Sequence, residues 1–372
     1  MKEVNGQYLI SLFEHWAPKS LAVDDDPVGL QIGTLNKTVT KVLVTLDVNH
    51  EVVDEAIREG CELIIAHHPP IYTKMKHLRT DLPQGALIEK LIKHNIAVYA
   101  AHTNLDIATG GVNDLLARQL ELEDIQILKE TSSEKLMNLI VFTPKDSTEK
   151  VRKALAEAGA GHIGDYESCS YTTEGQGRFR PLENSDPYIG KKDELTVVEE
   201  DKVEVVFPVA IKNKVLKALL VNHPYEEPAY NLIALETEIN KKGLGRIGRL
   251  PAGITLREYA LTVKSKLDVP FVRVVGDLNK VVEKVAVLGG DGNKYIQIAK
   301  RAGADVFITG DLYFHVAQDA LAIDLAVIDP GHHIEQIMKT GVADYMNAVC
   351  QKKKLTVNFI PSKLSTEPFQ LL

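Results

Sequence analysis

The first 130 residues alternate short apolar segments with longer amphipathic ones. The apolar segments are rich in β-branched residues, which is typical of buried strands, and the longer ones have helical spacing. Predicted strands are Lys41 to Asp47, Glu62 to Ala66 and Ile96 to Ala101, and predicted helices are His50 to Gly60, Gln84 to His94 and Val112 to Leu120. Strands separated by helices of about ten residues indicate βαβ units and a mostly parallel sheet.

The same alternation returns in the last third of the chain. Predicted strands are Lys284 to Leu288, Asp305 to Thr309, Leu325 to Asp329 and Leu355 to Ile360, and predicted helices are Lys294 to Ala302, Tyr313 to Ala322 and His332 to Lys352. We therefore expect residues 1–130 and 243–372 to form one α/β core with mostly parallel sheet.

The middle of the chain has a different order of elements. Predicted strands are Lys135 to Thr143, Asp165 to Phe179, Leu195 to Pro208 and Asn231 to Glu238, and predicted helices are Ser147 to Gly159 and Ile211 to Val221. The order βαββαβ is that of a ferredoxin-like α+β domain. Residues 131–240 are also more acidic than the rest, with 13 Lys and Arg against 19 Asp and Glu. We predict an inserted domain over residues 131–242.

Composition narrows the class of protein. The chain is 45% hydrophobic and 25% charged, as in ordinary globular proteins, and no apolar run approaches the ~18 residues that span a bilayer. The net charge of −8 and the lack of a basic cluster disfavour nucleic acid as a partner. Three widely spaced cysteines and no signal-peptide pattern at the N-terminus predict a reducing cytoplasm.

Polar residues follow four of the predicted strands. These residues are His67 and His68, the segment His102 to Asp106, Gly310 and Asp311, and His332 and His333 with Glu335 just beyond. Ligands of open α/β sheets lie beyond the carboxyl ends of the strands. If the strands are parallel, these side chains converge on one edge of one sheet.

Five of these residues are suited to metal binding. A lone histidine at a strand end is usually a satisfied polar residue, but agreement between four strand ends favours a metal site. Their three imidazoles and two carboxylates suit Zn, Fe, Mn, Co or Ni, and a carboxylate can bridge two ions. The candidate ligands of such a site, for two divalent ions with zinc as the first candidate, are His67, His68, Asp106, His332 and Glu335, and the choice between His332 and His333 is open at this point.

The choice between His332 and His333 depends on the local backbone. If a helix begins here, residues three apart share a face, which pairs His332 with Glu335 and turns His333 elsewhere. The role of His102 stays open at this point. Two glycine motifs are weaker evidence of function than these residues. Gly243 to Gly248 has the glycine spacing of a dinucleotide fingerprint but is not followed by a predicted helix, and Gly289 to Gly292 predicts either a phosphate loop or a tight turn.

These segments resemble the Nif-three-like proteins, also called GTP cyclohydrolase 1 type 2 homologues. The resemblance rests on His67-His68-Pro69, Thr103 to Asp106, Thr309-Gly310-Asp311, Gly331-His332 with Glu335, and Asp26 to Gly33, where Asp-Pro replaces the family's Asp-Asn. It implies a dinuclear metal centre with the five ligands above and a ring-shaped homohexamer. The motif His223 to Pro228 is similar to one in CutA, and the insert resembles trimeric CutA-like and PII-like domains, which implies trimeric contacts through it.

The resulting hypothesis is a metal-dependent hydrolase of an unknown small molecule. Two ions would activate a water, with His102 or His315 as the proton carrier outside the metal ligands. The alternative is a non-catalytic metal-binding chaperone, sensor or scaffold. An open coordination position distinguishes the two, since a catalytic metal keeps one and a structural metal does not.

Overall fold

The computed structural model describes residues 4–370 of the chain. It divides into two compact units, unit 1 from Met1–Thr131 with Lys242–Leu372 and unit 2 from Ser132–Lys241. The helices and strands in chain order are α1 Gly6–Trp16, β1 Gly29–Ile32, β2 Lys41–Thr45, α2 His50–Glu59, β3 Leu63–Ala66, α3 Pro83–Lys93, β4 Ala97–Ala100, α4 Thr103–Ile107, α5 Val112–Gln119, β5 Glu123–Pro144, α6 Thr148–Glu157, β6 Tyr171–Phe179, β7 Thr196–Pro208, α7 Lys212–Asn222, β8 Tyr230–Thr255, α8 Leu256–Lys266, β9 Arg273–Val275, β10 Val281–Asp291, α9 Ile296–Arg301, β11 Val306–Gly310, α10 Phe314–Ala322, β12 Ala326–Asp329, α11 Ile337–Lys352 and β13 Asn358–Pro361.

The first sheet of unit 1 has five strands in the order β1-β4-β3-β2-β13. Strands β13, β2, β3 and β4 pair in parallel, and β1 adds an antiparallel edge to β4. Every residue of β3 and β4 is buried, because helices cover one face of the sheet and the second sheet's core lies against the other. Such strands therefore appear as continuous apolar runs in the sequence.

The second sheet of unit 1 has a parallel centre and antiparallel flanks. Strands β10, β11 and β12 pair in parallel, whereas β8 pairs antiparallel with β10 and β9 pairs antiparallel with β12. The expectation of a mostly parallel sheet is therefore wrong here. Sequence periodicity identifies the central strands, but it does not assign β9 or the part of β8 beyond Glu238, and these are the strands that run antiparallel.

The main core of unit 1 lies between its two sheets. Val44, Ile65 and Tyr99 of the first sheet and Val285 and Ile308 of the second belong to one buried cluster. Each side chain of this size stabilises the fold by about 1.5–3 kcal/mol when fully buried. The carboxyl ends of strands from both sheets consequently lie at the border of a rigid apolar core, which is a suitable foundation for a site.

Unit 2 has four strands in the order β6-β7-β5-β8 and two helices, α6 and α7. The pairs β5–β7 and β6–β7 are antiparallel. Its own core contains residues of both helices and of the central strands, namely Leu139, Val141, Val151, Leu155, Val203, Val205, Phe207, Val215 and Leu219.

Several elements are absent from the sequence-based prediction. These are α1, β1, α4, α8 and β9. Strands β1 and β9 and helix α4 have too few residues to show a period. Helix α8 follows β8 directly, and a capping box formed by Thr255 and Glu258 marks the change from strand to helix. Within residues 4–370, the structure contains no helix with the length and apolarity needed to cross a membrane.

Candidate metal centre

The predicted ligands come from two sheets of unit 1 rather than from one. His67 and His68 directly follow β3, and Asp106 lies in α4, the helix that follows β4. His332 and Glu335 follow β12 of the second sheet. The expected convergence on one edge of one sheet is therefore wrong. The side chains converge because the carboxyl ends of both parallel sets face a common space.

The carboxylate of Glu335 is the centre of this cluster. Its Oε2 lies 3.0 Å from Nε2 of His68, 3.1 Å from Nε2 of His332 and 3.7 Å from Nε2 of His67. The side chain is only 4% exposed. One carboxylate oxygen is thus shared by three imidazoles, an arrangement in which a single anion is surrounded by potential metal-binding nitrogens.

Two atoms of the cluster are buried without a hydrogen-bond partner among the described residues. These are Nε2 of His67 and Oδ1 of Asp106, which lie 3.6 Å apart. Buried polar atoms normally have partners, and an unpaired one costs about 1–3 kcal/mol. A divalent cation would satisfy both atoms, so the residues present fit a metal ion in chemistry as well as in number.

The other ring nitrogens of the histidines are fixed by oxygen acceptors. Nδ1 of His67 lies 2.8 Å from the carbonyl of Ala101, and Nδ1 of His68 lies 2.7 Å from Oδ1 of Asp47. Nδ1 of His332 similarly lies 2.7 Å from Oδ2 of Asp311. Such contacts orient metal-binding histidines and leave Nε2 for the metal.

Asp47 and Asp311 therefore support the cluster without belonging to it. The sequence contains a signal for Asp311, which directly follows β11, but it marks Asp47 only as the last residue of a predicted strand. The role of Asp47 depends on its contact with His68, which is 21 residues away in the chain. Local periodicity contains no information about that contact.

Without a bound cation, the contacts within the cluster favour the charged forms of His68 and Glu335. Burial lowers the pKa of His68, but the hydrogen bonds with Asp47 and Glu335 outweigh it and raise the value to about 10. Burial raises the pKa of Glu335, but His67 and the other imidazoles hold it well below its usual range. Burial raises the pKa of Asp106 to about 6, although the nearby His67 opposes that shift. These imidazoles and carboxylates stabilise one another, and a bound divalent cation would take the place of the protons on the imidazoles.

The backbone after β12 separates His332 from His333. Residues His332–Gln336 form a 3₁₀ turn that continues into α11, so residues three apart are nearly superimposed along its axis. His332 accordingly approaches Glu335, whereas Nε2 of His333 is buried without a hydrogen bond and outside the groups of described residues that could hold a metal.

Gly289 and Gly290 provide space for the carboxylate of Glu335. A Cβ at Gly289 would lie 3.0 Å from Oε1 of Glu335, and one at Gly290 would lie 2.7 Å from it. Gly290 also has a φ of +64°, which disfavours other residues. This explains the Gly289 to Gly292 motif as close packing against the cluster.

The two proposed proton carriers lie in different surroundings. His102 is in the cluster: a ring nitrogen of His102 lies within 4.8 Å of ring nitrogens of His67 and His68, and its Nδ1 lies 2.8 Å from Oδ1 of Asp26. His315 lies on α10, and it is in none of the potential metal-holding groups of the described residues. Of the two, only His102 has a ring nitrogen among the potential metal-holding groups of the described residues.

A cavity of about 600 Å³ lies beside the cluster in unit 1. His68 and His332 form part of its wall, and Phe271, Arg273 and Phe369 form other parts. Arg273 is paired with Asp329, yet its side chain is 57% exposed. The cluster is thus bordered by a space that can hold a small molecule.

The second glycine motif, Gly243 to Gly248, has a structural role. It lies within strand β8 rather than between a strand and a helix, so it is not a dinucleotide-binding turn. Arg246 within it is buried and forms two hydrogen bonds with the carboxylate of Asp114, at 2.7 and 2.8 Å.

Comparison with known sequences identifies the family. The family model described as Duf34/NIF3 (NGG1p interacting factor 3) matches residues 4–368. The chain belongs to this family. It is 55% identical over 371 residues to a "GTP cyclohydrolase 1 type 2 homolog" of Bacillus subtilis, and 51% identical over 372 residues to one of Halalkalibacterium halodurans, with 100% of each chain covered in both cases.

A solved structure of the same family has the same fold. The crystal structure of a Bacillus cereus protein related to NIF3 superposes with a TM-score of 0.88 at 49% sequence identity, covering 100% of both chains. The resemblance inferred from the short motifs is confirmed, and the mixed α/β fold with two sheets is shared with this relative.

Proposed function

We propose that the protein binds two divalent metal ions and hydrolyses a small-molecule substrate. His67, His68, Asp106, His332 and Glu335 would hold the ions. The observation that carries the proposal is the pair of buried, unpaired atoms, Nε2 of His67 and Oδ1 of Asp106, beside the shared carboxylate of Glu335. Zinc is the first candidate because it accepts mixed imidazole and carboxylate ligands, as do iron, manganese, cobalt and nickel.

When bound, such ions would supply a nucleophilic water at neutral pH and polarise an oxygen of the substrate. The protein's own residues provide the remaining functions. Asp47 and Asp311 orient His68 and His332. Asp26 holds Nδ1 of His102, which leaves Nε2 of that ring to accept or return a proton.

The cavity beside the cluster favours hydrolysis over a closed structural site. A structural metal site has all positions filled by protein, whereas here His68 and His332 border an open space of about 600 Å³. Phe271 in its wall would cover an apolar part of the substrate. The non-catalytic alternative of a chaperone, sensor or scaffold would not require this space.

The proposal is tested by metal content and turnover in one set of variants. Protein loaded with zinc, manganese or iron is assayed with nucleotides, phosphodiesters and small amides, and GTP is included because of the name of the relatives. We expect about two ions per chain and activity that is lost in His68→Ala and retained in His333→Ala. Metal binding without turnover of any compound would favour the non-catalytic role, and absence of metal after loading would overturn the proposal.

We further propose that unit 2 is a ferredoxin-like insert similar to CutA and PII domains. Its element order βαββαβ and its strand order β6-β7-β5-β8 support this assignment. Many of its large apolar side chains are exposed, among them Tyr166, Tyr171, Leu195, Val197 and Val221.

Exposed apolar residues in such number are typical of an association surface, which supports trimeric contacts within a cytoplasmic homohexamer. Light scattering coupled to gel filtration would give six times the chain mass of 41.1 kDa. A monomer or dimer would contradict this part of the proposal.

A further inference from the structure

Unit 2 contains a cavity of about 640 Å³ that has no part in the proposed metal chemistry. Its walls come from β6 and β7 and from the segments 181–189 and 225–229. All the proposed metal ligands belong to unit 1, so a ligand in this cavity would not depend on them. The volume lies within the usual range for small-molecule sites, about 300–1,000 Å³.

Aromatic rings form one side of this cavity. The ring of Tyr225 lies 5.9 Å from that of Phe179 and 6.2 Å from that of Tyr188, measured between centroids. All three residues line the cavity, as does Phe142. At these distances the rings favour tilted and edge contacts with one another and leave faces for a further flat ring.

Glu200 places a carboxylate in the wall of the same cavity. The residue is only 8% exposed, and its Oε1 accepts a hydrogen bond of 2.8 Å from the hydroxyl group of Tyr225. No described residue donates a hydrogen bond to Oε2. Gly177 on β6 leaves room for Oε2 of Glu200, because a Cβ at position 177 would collide with this carboxylate. The site therefore contains a fixed acceptor with spare capacity beside aromatic faces.

The charge of the lining is also negative. It contains four carboxylates and two cationic side chains, from Glu174, Glu200, Glu226, Glu227, Arg178 and Lys202. Arg178 donates a hydrogen bond to Gln176, and Lys202 is paired with Glu204. An uncharged apolar ligand would leave the buried acceptor unused, and an anion would be repelled.

We propose that this cavity binds a planar aromatic ring that has an amidine-type edge, with two N–H groups directed at Glu200. A carboxylate and such an edge form paired, charge-assisted hydrogen bonds, which are stronger than those between neutral groups. Tyr225 fixes the carboxylate through Oε1, and the rings of Phe179 and Tyr188 contact the faces of the ligand.

Benzamidine tests the proposal, because it is a flat ring with a cationic amidine edge. Binding to the full-length protein is measured by isothermal titration calorimetry, with benzoate as the ligand of equal shape and opposite charge. We expect benzamidine to bind and benzoate not to bind. Glu200→Gln should weaken benzamidine binding at least tenfold, whereas Glu199→Gln, which changes the neighbouring residue on the opposite face of β7, should leave it unchanged.

A further variant tests the same site without changing a charge. Gly177→Ala should displace the Glu200 carboxylate and weaken binding, because a Cβ there would collide with Oε2 of Glu200. Circular dichroism checks that each variant is folded. If the Glu200→Gln and Gly177→Ala variants bound benzamidine as tightly as the wild type, or if benzoate bound equally well, the proposal would be overturned.

Discussion

A Cβ atom at Gly290 would lie 2.7 Å from Oε1 of Glu335. Gly290, near the end of β10, therefore limits the position of a carboxylate that follows β12, although the two residues are 45 positions apart in the sequence. Because Oε2 of the same carboxylate lies within 3.7 Å of three imidazoles, a shift of Glu335 changes the whole cluster. Gly290 thus affects the geometry of the proposed metal site, although it provides no metal ligand.

Gly290→Ala should reduce metal content by at least one ion per chain. The added methyl group meets Glu335, and the left-handed φ of +64° adds strain of about 1–2 kcal/mol. Gly60→Ala is the matched control, since Gly60 has a φ of +67° and a Cβ there meets nothing within 4 Å. Elemental analysis and thermal melting separate the two effects: both variants should lose stability, but only the first should lose metal.

The second prediction distinguishes His332 from His333. His332 lies 3.1 Å from Oε2 of Glu335, whereas His333 belongs to none of the potential metal-holding groups of the described residues. His332→Ala should lose at least one ion per chain and any hydrolytic activity, and His333→Ala should retain both. Loss of metal in the His333 variant alone would show that the ligand has been assigned to the wrong residue.

The third prediction concerns Asp47, whose carboxylate accepts the Nδ1 hydrogen of His68. Removal of such an orienting partner typically weakens metal binding about 10–100-fold. Asp47→Ala should therefore lower the metal affinity by this factor, measured by competition with a chelator. Asp54→Ala removes an exposed carboxylate of α2 that is paired with Lys90, and it should leave the affinity unchanged.

The sequence identifies the residues of the cluster better than it identifies the arrangement of the sheets. Strands β3, β4 and β12 are short buried runs, so their ends, and the polar residues after them, are visible as a change in pattern. Whether two such ends belong to one sheet depends on pairing between distant segments. Strand β9 has only three residues and β8 changes character along its length, so neither shows a period.

The proton carriers illustrate a second limit. His102 and His315 are both histidines near strand ends, but only His102 lies beside the cluster. The two also differ in their spacing from the preceding strand: His102 follows β4 by two residues, whereas His315 follows β11 by five and lies on α10.

The fourth prediction concerns the buried pair of Arg246 and Asp114, whose side chains are 5% and 12% exposed. Arg246→Met leaves a buried carboxylate without its partner and should cost about 3–5 kcal/mol in the free energy of unfolding. Arg249→Met on the same strand breaks an exposed pair with Glu283 and should cost at most about 1 kcal/mol. Urea unfolding of both variants measures the difference.

This buried pair also predicts a dependence on pH. Burial raises the pKa of Asp114, but the hydrogen bonds and charge of Arg246 outweigh it and hold the pKa below its usual range. A lowered pKa in the folded state contributes stability above the unfolded value of about 4, and this contribution is lost as the pH falls through the folded value. The stability gap between wild type and Arg246→Met should therefore narrow in acid. A gap that stays constant down to a pH of about 2 would contradict the assignment.

The last prediction tests the division of the chain. Thr131 Oγ1 lies 3.3 Å from the carbonyl of Lys242, so the two ends of unit 1 are adjacent and a linker of a few glycines can join them. Deletion of residues 132–241 should leave a folded protein that binds metal, because every proposed ligand lies outside the deleted segment. The deletion protein should melt cooperatively and contain as many ions per chain as the full-length protein. A protein that melts cooperatively but lacks metal would show that unit 2 is needed for the site, and an insoluble product would show that unit 1 does not fold alone.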